Sequence, residues 1–256
     1  MGRRGNRTIN LPAPYLKRVW VEPSRVVDRK AYPFCLPIFS EDFELRFEAP
    51  ITIIVGENGT GKSTILEGIA ALAGYDDAGG GKGYMPVDHS QALEKMGGAL
   101  SEALRASWLP KITHGWFFRA ESFFSVARYL DQAALDDPLG RPPPDFLSHS
   151  HGEGFLLEER CQRQGIFIFD EPESALSPSR QIEFLKLLRR MDDSRICQVI
   201  MATHAPMLMA YPGAKLRLTK AGLEPVMLRE TDHFNVMREF CDDPAGFIEA
   251  ALEEQG

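Results

Sequence analysis

The sequence has no apolar run of the length that crosses a membrane, and Met1 to Trp20 lacks the apolar centre of a secretory leader. Gly2 is followed at the myristoylation position by Asn6, where Ser or Thr would be needed. Any membrane attachment is therefore expected from another subunit. Cysteine is scarce: Cys35, Cys161, Cys197 and Cys241 lie far apart, and no C-x-x-C occurs. That pattern excludes a disulfide scaffold and the usual zinc spacings, and it suits a reducing cytoplasm. Excess positive charge is missing too. The formal charge is −7, so there is no overall nucleic-acid footprint. The basic residues Arg3, Arg4, Arg7, Lys17 and Arg18 read as a solvated arm. No internal repeat and no long heptad run are present, which excludes solenoids and coiled coils.

What is present is ordinary in amount and specific in order. Hydrophobic residues make up 44% and charged residues 25%, ordinary for a globular chain, and 256 residues are enough for one α/β domain with embellishments or for two small domains. Ile51-Thr52-Ile53-Ile54-Val55 is a β-branched run and reads as a buried strand. Gly56-Glu57-Asn58-Gly59-Thr60-Gly61-Lys62-Ser63-Thr64 follows it and fits G-x-x-x-x-G-K-[ST], the phosphate-binding loop. Thr64 to Ala73 then reads as a helix with Leu66, Ile69, Ala70 and Ala73 on one face and Gly74 as its stop. The chemistry needs this order. Glycines let backbone N–H groups point at phosphate oxygens, and the helix N-terminus adds positive potential. Lys62 is placed to reach the β- and γ-phosphates of a nucleoside triphosphate, and the Ser63 hydroxyl to ligate Mg²⁺.

Tyr15 to Val21 and Phe43 to Phe47 alternate as strands, with Pro23, Pro33 and Pro37 marking an irregular excursion between them. They predict an antiparallel N-terminal β piece. Tyr32 or Phe34 could stack on an adenine ring or pack in the core. Asp76 to Gly83 is a glycine-rich surface loop, and Gln91 to Ala106 has the composition and spacing of a helix through Leu93, Met96, Leu100 and Leu104. Gly115 to Phe118 reads as a second buried strand with Arg119 and Glu121 past its end, and Ser122 to Leu130 as a helix. Asp137 to Asp145 carries Pro138, Pro142, Pro143 and Pro144 and should be stiff and extended. Ser148 to Gly154 then leads into a short helix ending near Gln162.

The next strand, Ile166 to Phe169, ends in Asp170-Glu171. Four apolar residues that deliver a carboxylate pair have the form of a Walker B strand. Asp170 would hold Mg²⁺, and Glu171 would polarise a water for in-line attack at the γ-phosphorus. Ser177 and Pro178 start a helix with Ile182, Leu185, Leu188 and Met191 on its apolar face. Gln198 to Ala202 is a further strand, ending at Thr203-His204. Lys215 to Leu218 and Val226 to Leu228 suggest a hairpin, and two helical stretches follow, the second capped by Asp243 before Pro244.

The order of these motifs resembles the ATP-binding-cassette (ABC) ATPases, in the branch shared with the SMC and RecF proteins, and more closely small bacterial predicted ATPases of the AAA family. Phosphate loop, Ser150-His151-Gly152-Glu153, Asp170-Glu171-Pro172, Ser174 to Ser177 and His204 stand where the family has Walker A, signature, Walker B, D-loop and switch histidine. Ser150 and Asp170 are 20 residues apart, and Asp170 and His204 are 34. The likeness covers Leu45 to Leu208. It implies one ABC-type domain over residues 1–256: an α/β P-loop NTPase fold with a mostly parallel central sheet. A helical insert at about 75–160 would carry the signature, and 214–256 would form a terminal hairpin and helices.

The resemblance also implies ATP and Mg²⁺ as ligands and two copies paired head-to-tail, each ATP held between one copy's phosphate loop and the other's signature. Ser150, Gly152 and Glu153 would then face the γ-phosphate in trans, with His151 and Glu153 standing where the family usually has Gly and Gln. His204 would contact that phosphate and report its presence. The Q-loop glutamine has no evident counterpart. Glu121 occupies a fitting place and could touch Mg²⁺ or its water, or pair with Arg119. Three roles follow. The first is ATP hydrolysis by such a dimer. The second is an ATP-gated switch on DNA or in a repair or defence complex with slow turnover. The third is the nucleotide-binding subunit of a membrane transporter. Only 88 residues separate Lys62 from Ser150, too few for a long inserted coiled coil.

Overall fold

β3 (Ile51–Val55), β6 (Gly165–Asp170) and β7 (Cys197–Ala202) are buried at every residue. A strand covered on both faces needs no polar alternation, which is why these segments read as continuous apolar runs. Their side chains still alternate between two cores. Ile54, Ile166, Ile168, Ile200 and Ala202 pack on one face with Leu66, Ile69 and Ala70 of α1 (Lys62–Ala73). Ile53, Phe167, Phe169, Val199 and Met201 pack on the other with residues of α3 (Pro178–Ser194). The computed structural model describes residues 11–40, 42–76, 79–82, 97–119, 163–219 and 222–253.

The central sheet has the order β5-β6-β7-β3-β8-β9, with β5 at Gly115–Arg119, β8 at Ala214–Thr219 and β9 at Gly222–Pro225. All its pairings are parallel except β8 with β9. The expected α/β P-loop fold with a mostly parallel sheet is therefore present. The hairpin closes earlier than the composition suggests, with Thr219 opposite Gly222 and Val226 already past it.

The N-terminal antiparallel piece exists and has one more strand than expected. β1 (Leu16–Val21) pairs with β2 (Glu44–Arg46) on one edge and with β4 (Leu104–Trp108) on the other. β4 corrects the expectation of a helix through Ala106. α2 (Gly97–Ala103) stops, and Leu104 to Trp108 turns to satisfy the free edge of β1, with Leu104 opposite Val21. Hydrogen bonding to a distant strand outweighs the helical spacing of Leu100 and Leu104. Within the stretch at 75–160, β4 and β5 both belong to sheets. The α3 face also differs. Phe184, Leu187, Leu188 and Met191 are buried, whereas Ile182 is 47% exposed. The true stripe runs i, i+3, i+4, i+7 from Phe184, and Ile182 falls outside it.

After β9 come α5 (Asp232–Asp242) and α6 (Pro244–Glu253), joined at Asp243, whose carboxylate accepts the Gly246 N–H at 3.1 Å. These helices leave Val236, Met237, Phe240, Ile248 and Leu252 exposed. Between α3 and β8 a short helix, α4 (Pro206–Met209), follows the end of β7. Among the described residues no helix is long and apolar enough to cross a membrane.

One buried side chain joins the two sheets. Gln198 of β7 is fully buried, and its Oε1 accepts the N–H groups of Tyr15 and Leu16, both at 2.8 Å. Its Nε2 donates to Leu16 O at 3.0 Å. Both the oxygen and the nitrogen of a polar side chain in the middle of a core strand are thereby bonded. Gln198→Leu leaves those backbone groups dry and unpaired. The expected loss is about 2–4 kcal/mol of stability in urea denaturation, well above that of a neutral core exchange of similar volume.

Candidate active site

The parallel register sets up the site. Ile54 of β3, Ala202 of β7, Asp170 of β6 and Arg119 of β5 lie side by side in one row across the sheet. The residues just beyond that row therefore meet at the carboxyl edge of the sheet: Gly56, His204 and Glu171. Loop pairing carries the order one step further, with Glu171 N–H donating to Ala202 O at 3.0 Å and Thr203 N–H to Ile54 O at 3.3 Å. Crevices at this edge are where open α/β sheets bind ligands.

The phosphate loop turns at Gly61, which caps α1 with φ of 99°, a left-handed conformation that disfavours any side chain. A Cβ there would also meet Leu36 Cδ1 at 3.2 Å, because the segment before β2 lies against the loop. Lys62 is buried, and its ammonium donates to the carbonyls of Gly56 and Glu57, both at 2.9 Å. Burial pushes its pKa below the ordinary lysine value, while the carboxylates of Glu171, Asp170 and Glu57 pull the other way. Glu57, Asn58, Gly59 and Thr60 form the turn itself, and the Thr60 hydroxyl donates to Glu57 O at 2.8 Å. Thr64 Oγ1 lies 2.6 Å from Tyr32 Oη. Tyr32 is 45% exposed beside the loop, whereas Phe34 is in the core, which separates the two aromatic candidates.

Ser63 Oγ donates to Asp170 Oδ1 at 3.0 Å, joining the two nucleotide motifs directly. Asp170 is 6% exposed, and burial pushes its pKa up to about 6 against the opposing pull of Arg119 and Ser63. Arg119 Nε lies 3.8 Å from Asp170 Oδ2, and Arg119 Nη1 bonds Glu67 Oε1 of α1 at 2.8 Å. Arg119 is thus paired with Glu67 and Asp170. Glu121, its expected alternative partner and a possible metal ligand, lies outside the described residues. Ser150, His151, Gly152 and Glu153 of the signature also lie outside them, as do the expected helices at 122–130 and before Gln162 and the proline-rich stretch at 137–145. Among the described residues no cluster of three acidic, histidine or cysteine side chains could hold a metal alone. Ser63 and Asp170 offer two converging oxygens, one on a buried carboxylate with too little positive charge around it. That donor set fits a hard cation such as Mg²⁺ when phosphate oxygens complete the shell.

Glu171 follows the strand in a left-handed conformation, φ 48°, and its Oε1 lies 3.4 Å from His204 Nε2. A non-glycine residue held this way is uncommon and is found most often where geometry serves chemistry. His204 is fixed from two further sides. Glu173 accepts the backbone N–H groups of His204 and Ala205, the latter at 3.2 Å. His204 Nδ1 lies 2.8 Å from His233 Nε2 on α5. Burial and the nearby Lys62 charge hold the His204 pKa below its ordinary value, so the ring is neutral at neutral pH.

Three participants were not singled out from the sequence. Glu67 has a signal, being one turn past the phosphate loop on the face towards β5. Glu173 belongs to the Asp170-Glu171-Pro172-Glu173 run, but nothing in that run announces the backbone N–H groups it accepts. His233 has no local signal, because it meets His204 only through the folding of the C-terminal segment.

A parallel sheet with a glycine phosphate loop after one strand, a buried carboxylate at the end of another and a histidine after the strand between them is the arrangement of a P-loop nucleotide-binding site. Comparisons agree. Residues 34–95 match the family model described as an AAA domain. The chain is 30% identical over 213 residues to the molybdenum import ATP-binding protein ModC of Bordetella pertussis, a match covering 73% of this chain and 54% of that protein. It is 26% identical over 183 residues to the thiamine import ATP-binding protein ThiQ of Photorhabdus laumondii, covering 63% and 73% respectively. The SMC head domain from Thermotoga maritima aligns with 84% of this chain and 100% of its own at 16% identity and a TM-score of 0.46. Over these spans the chain is similar to ABC-type ATP-binding proteins, a class of ATP-hydrolysing enzymes. It spans about half the length of the molybdenum-import relative.

The Asp170 pKa makes a stability prediction. With about 6 in the folded chain against the usual 3.8, the folded state binds this proton more tightly than the unfolded state. The carboxyl then favours folding in acid, and that contribution is lost as the pH rises from about 4 through about 6. Asp170→Asn removes the buried charge and keeps an oxygen for Ser63. In chelator, the variant should be more stable than wild type by up to about 3 kcal/mol near pH 7, with the gap closing towards pH 4 in urea titrations.

Proposed function

We propose that this chain binds ATP with Mg²⁺ and hydrolyses it as one half of a head-to-tail pair of copies. The single observation that carries the reading is the Ser63–Asp170 hydrogen bond, which brings the phosphate loop and the second strand's carboxylate to one point. A buried carboxylate beside a helix N-terminus and a lysine supports triphosphate binding far better than a structural ion pair.

The roles follow from position. Backbone N–H groups of Gly56 to Ser63 surround the phosphates, and Thr64 stands at the start of α1. Lys62 exchanges the carbonyls of Gly56 and Glu57 for phosphate oxygens. Tyr32 offers its exposed ring to the adenine. Ser63 and Asp170 hold Mg²⁺, which supplies charge neutralisation of the phosphates. Glu121 is a further candidate there. Arg119, braced by Glu67, keeps the Asp170 carboxyl from being still harder to ionise. Glu171 accepts a proton from the attacking water, and His204 holds the γ-phosphate next to it. Ser150, Gly152 and Glu153 of the second copy complete the pocket in trans. The cytoplasm, where ATP and Mg²⁺ are abundant, is the matching location.

A second reading is favoured by the relatives, which are named as import ATP-binding proteins. In it the chain is the nucleotide-binding subunit of an importer, and a membrane subunit should co-purify with it from native membranes.

Glu171→Gln should bind ATP with little change, lose about a hundredfold or more of turnover and accumulate as a dimer when ATP is added. Turnover assays and size-exclusion chromatography read these separately. Wild-type turnover would remove the catalytic role of Glu171. An ATP-loaded variant that stays monomeric would remove the pairing.

A further inference from the structure

Two histidines meet at the edge of the site, and only one of them follows a sheet strand. His204 is held by its backbone through Glu173, whose other carboxylate oxygen is buried and makes no hydrogen bond. Its ring is held by His233, with Nδ1 to Nε2 at 2.8 Å and ring centres 4.9 Å apart. His233 is in the first turn of α5, beginning just after Thr231, a buried residue whose hydroxyl donates to Leu228 O at 2.7 Å. The second His204 nitrogen, Nε2, is buried without a hydrogen bond and points to Glu171 Oε1 at 3.4 Å.

With the His204 ring uncharged, one proton lies between the facing nitrogens, and its placement decides which end of the His204 ring carries the ring's own proton. Suppose His204 Nδ1–H were the donor. Its Nε2 would then turn a bare lone pair on the Glu171 carboxylate, and on any phosphate bound there, which is repulsive. With His233 Nε2–H as donor, His204 accepts at Nδ1 and carries its own proton on Nε2. That proton faces Glu171 and the phosphate side of the site.

We propose that His233 is a positioning residue for ATP hydrolysis: by donating from Nε2 to His204 Nδ1, it fixes the His204 ring and keeps the His204 proton on Nε2. This rests on the ATPase reading above and adds a residue to it from outside the sheet-edge motifs. It also makes α5 part of the working site. The low His204 pKa agrees, since a neutral ring has a tautomer to choose.

Two substitutions separate this role from packing. His233→Phe keeps a ring and loses the donor. His233→Gln loses the ring and keeps an N–H group near the place of Nε2. In full-length protein, His233→Phe should lower kcat for ATP about tenfold or more with little change in KM, the size of effect an outer partner of a functional histidine commonly has. His233→Gln should recover most of that loss. The reverse order, with the Phe variant active and the Gln variant impaired, would assign His233 to packing and overturn the proposal. A second measurement does not need turnover. Nitrogen NMR of histidine-labelled protein, with His204 assigned from a His204→Gln sample, should show His204 protonated on Nε2 in wild type. Protonation on Nδ1 overturns the proposal. A wild-type protein that fails to hydrolyse ATP defeats the functional reading alone, and the NMR result then decides the tautomer claim by itself.

Discussion

Asp170 is a carboxylate taken almost out of water at the end of a strand that is buried at every residue. Such a group has to be compensated from the protein or from a ligand. The chain supplies compensation from three directions: the Ser63 hydroxyl, the Arg119 guanidinium at 3.8 Å and the nearby positive end of α1. It is incomplete, as the raised pKa of about 6 records. A site left short of positive charge at the mouth of a phosphate loop is prepared for a cation that arrives with its nucleotide. Structural stability is given up there for binding, and the two cores on either side of the sheet have to cover the cost.

Around that carboxylate the fold repeats one device, which is to let each parallel strand end at the same level and carry one functional group past the edge. Arg119, Asp170, His204 and Gly56 come from four strands and from segments far apart in the chain, yet the register alone makes them neighbours. The strands are held at that level by apolar packing on both faces. Buried side chains interdigitate and cannot slip by one residue without exchanging the two cores. The antiparallel sheet is tied to the same frame through Gln198, so the segment carrying Tyr32 and Leu36 is presented to the phosphate loop from a fixed base.

The second group of contacts is of another kind. Glu171, Glu173, His204 and His233 lie on loops and on a terminal helix, where fewer buried neighbours define each position. Hydrogen bonds to backbone and ring nitrogens replace packing as the means of orientation. Such bonds are directional and can exchange partners when a phosphate enters, which makes this the responsive side of the site. Of the apolar residues left exposed on α5 and α6, Val236, Met237 and Phe240 share α5 with His233.

The sequence alone determined the phosphate loop, the strand and helix flanking it, the Asp170-Glu171 pair and the mostly parallel α/β plan. Each of these depends on local chemistry: glycines at fixed spacing, β-branched runs long enough for one strand, a lysine and a hydroxyl at a helix start. Tertiary structure decided the rest. Leu104 to Trp108 carries a helical spacing and becomes a strand because β1 has an edge to fill. Ile182 continues an apolar pattern and is exposed because α3 meets the sheet through Phe184 and Leu188. Arg119 bonds Glu67 because β5 runs beside α1 and β6. His233 reaches His204 only after the chain has turned back through the hairpin, and no spacing of residues announces it. Local rules fix what a segment can be. Long-range hydrogen bonds and packing choose which of those it becomes and which distant group it touches.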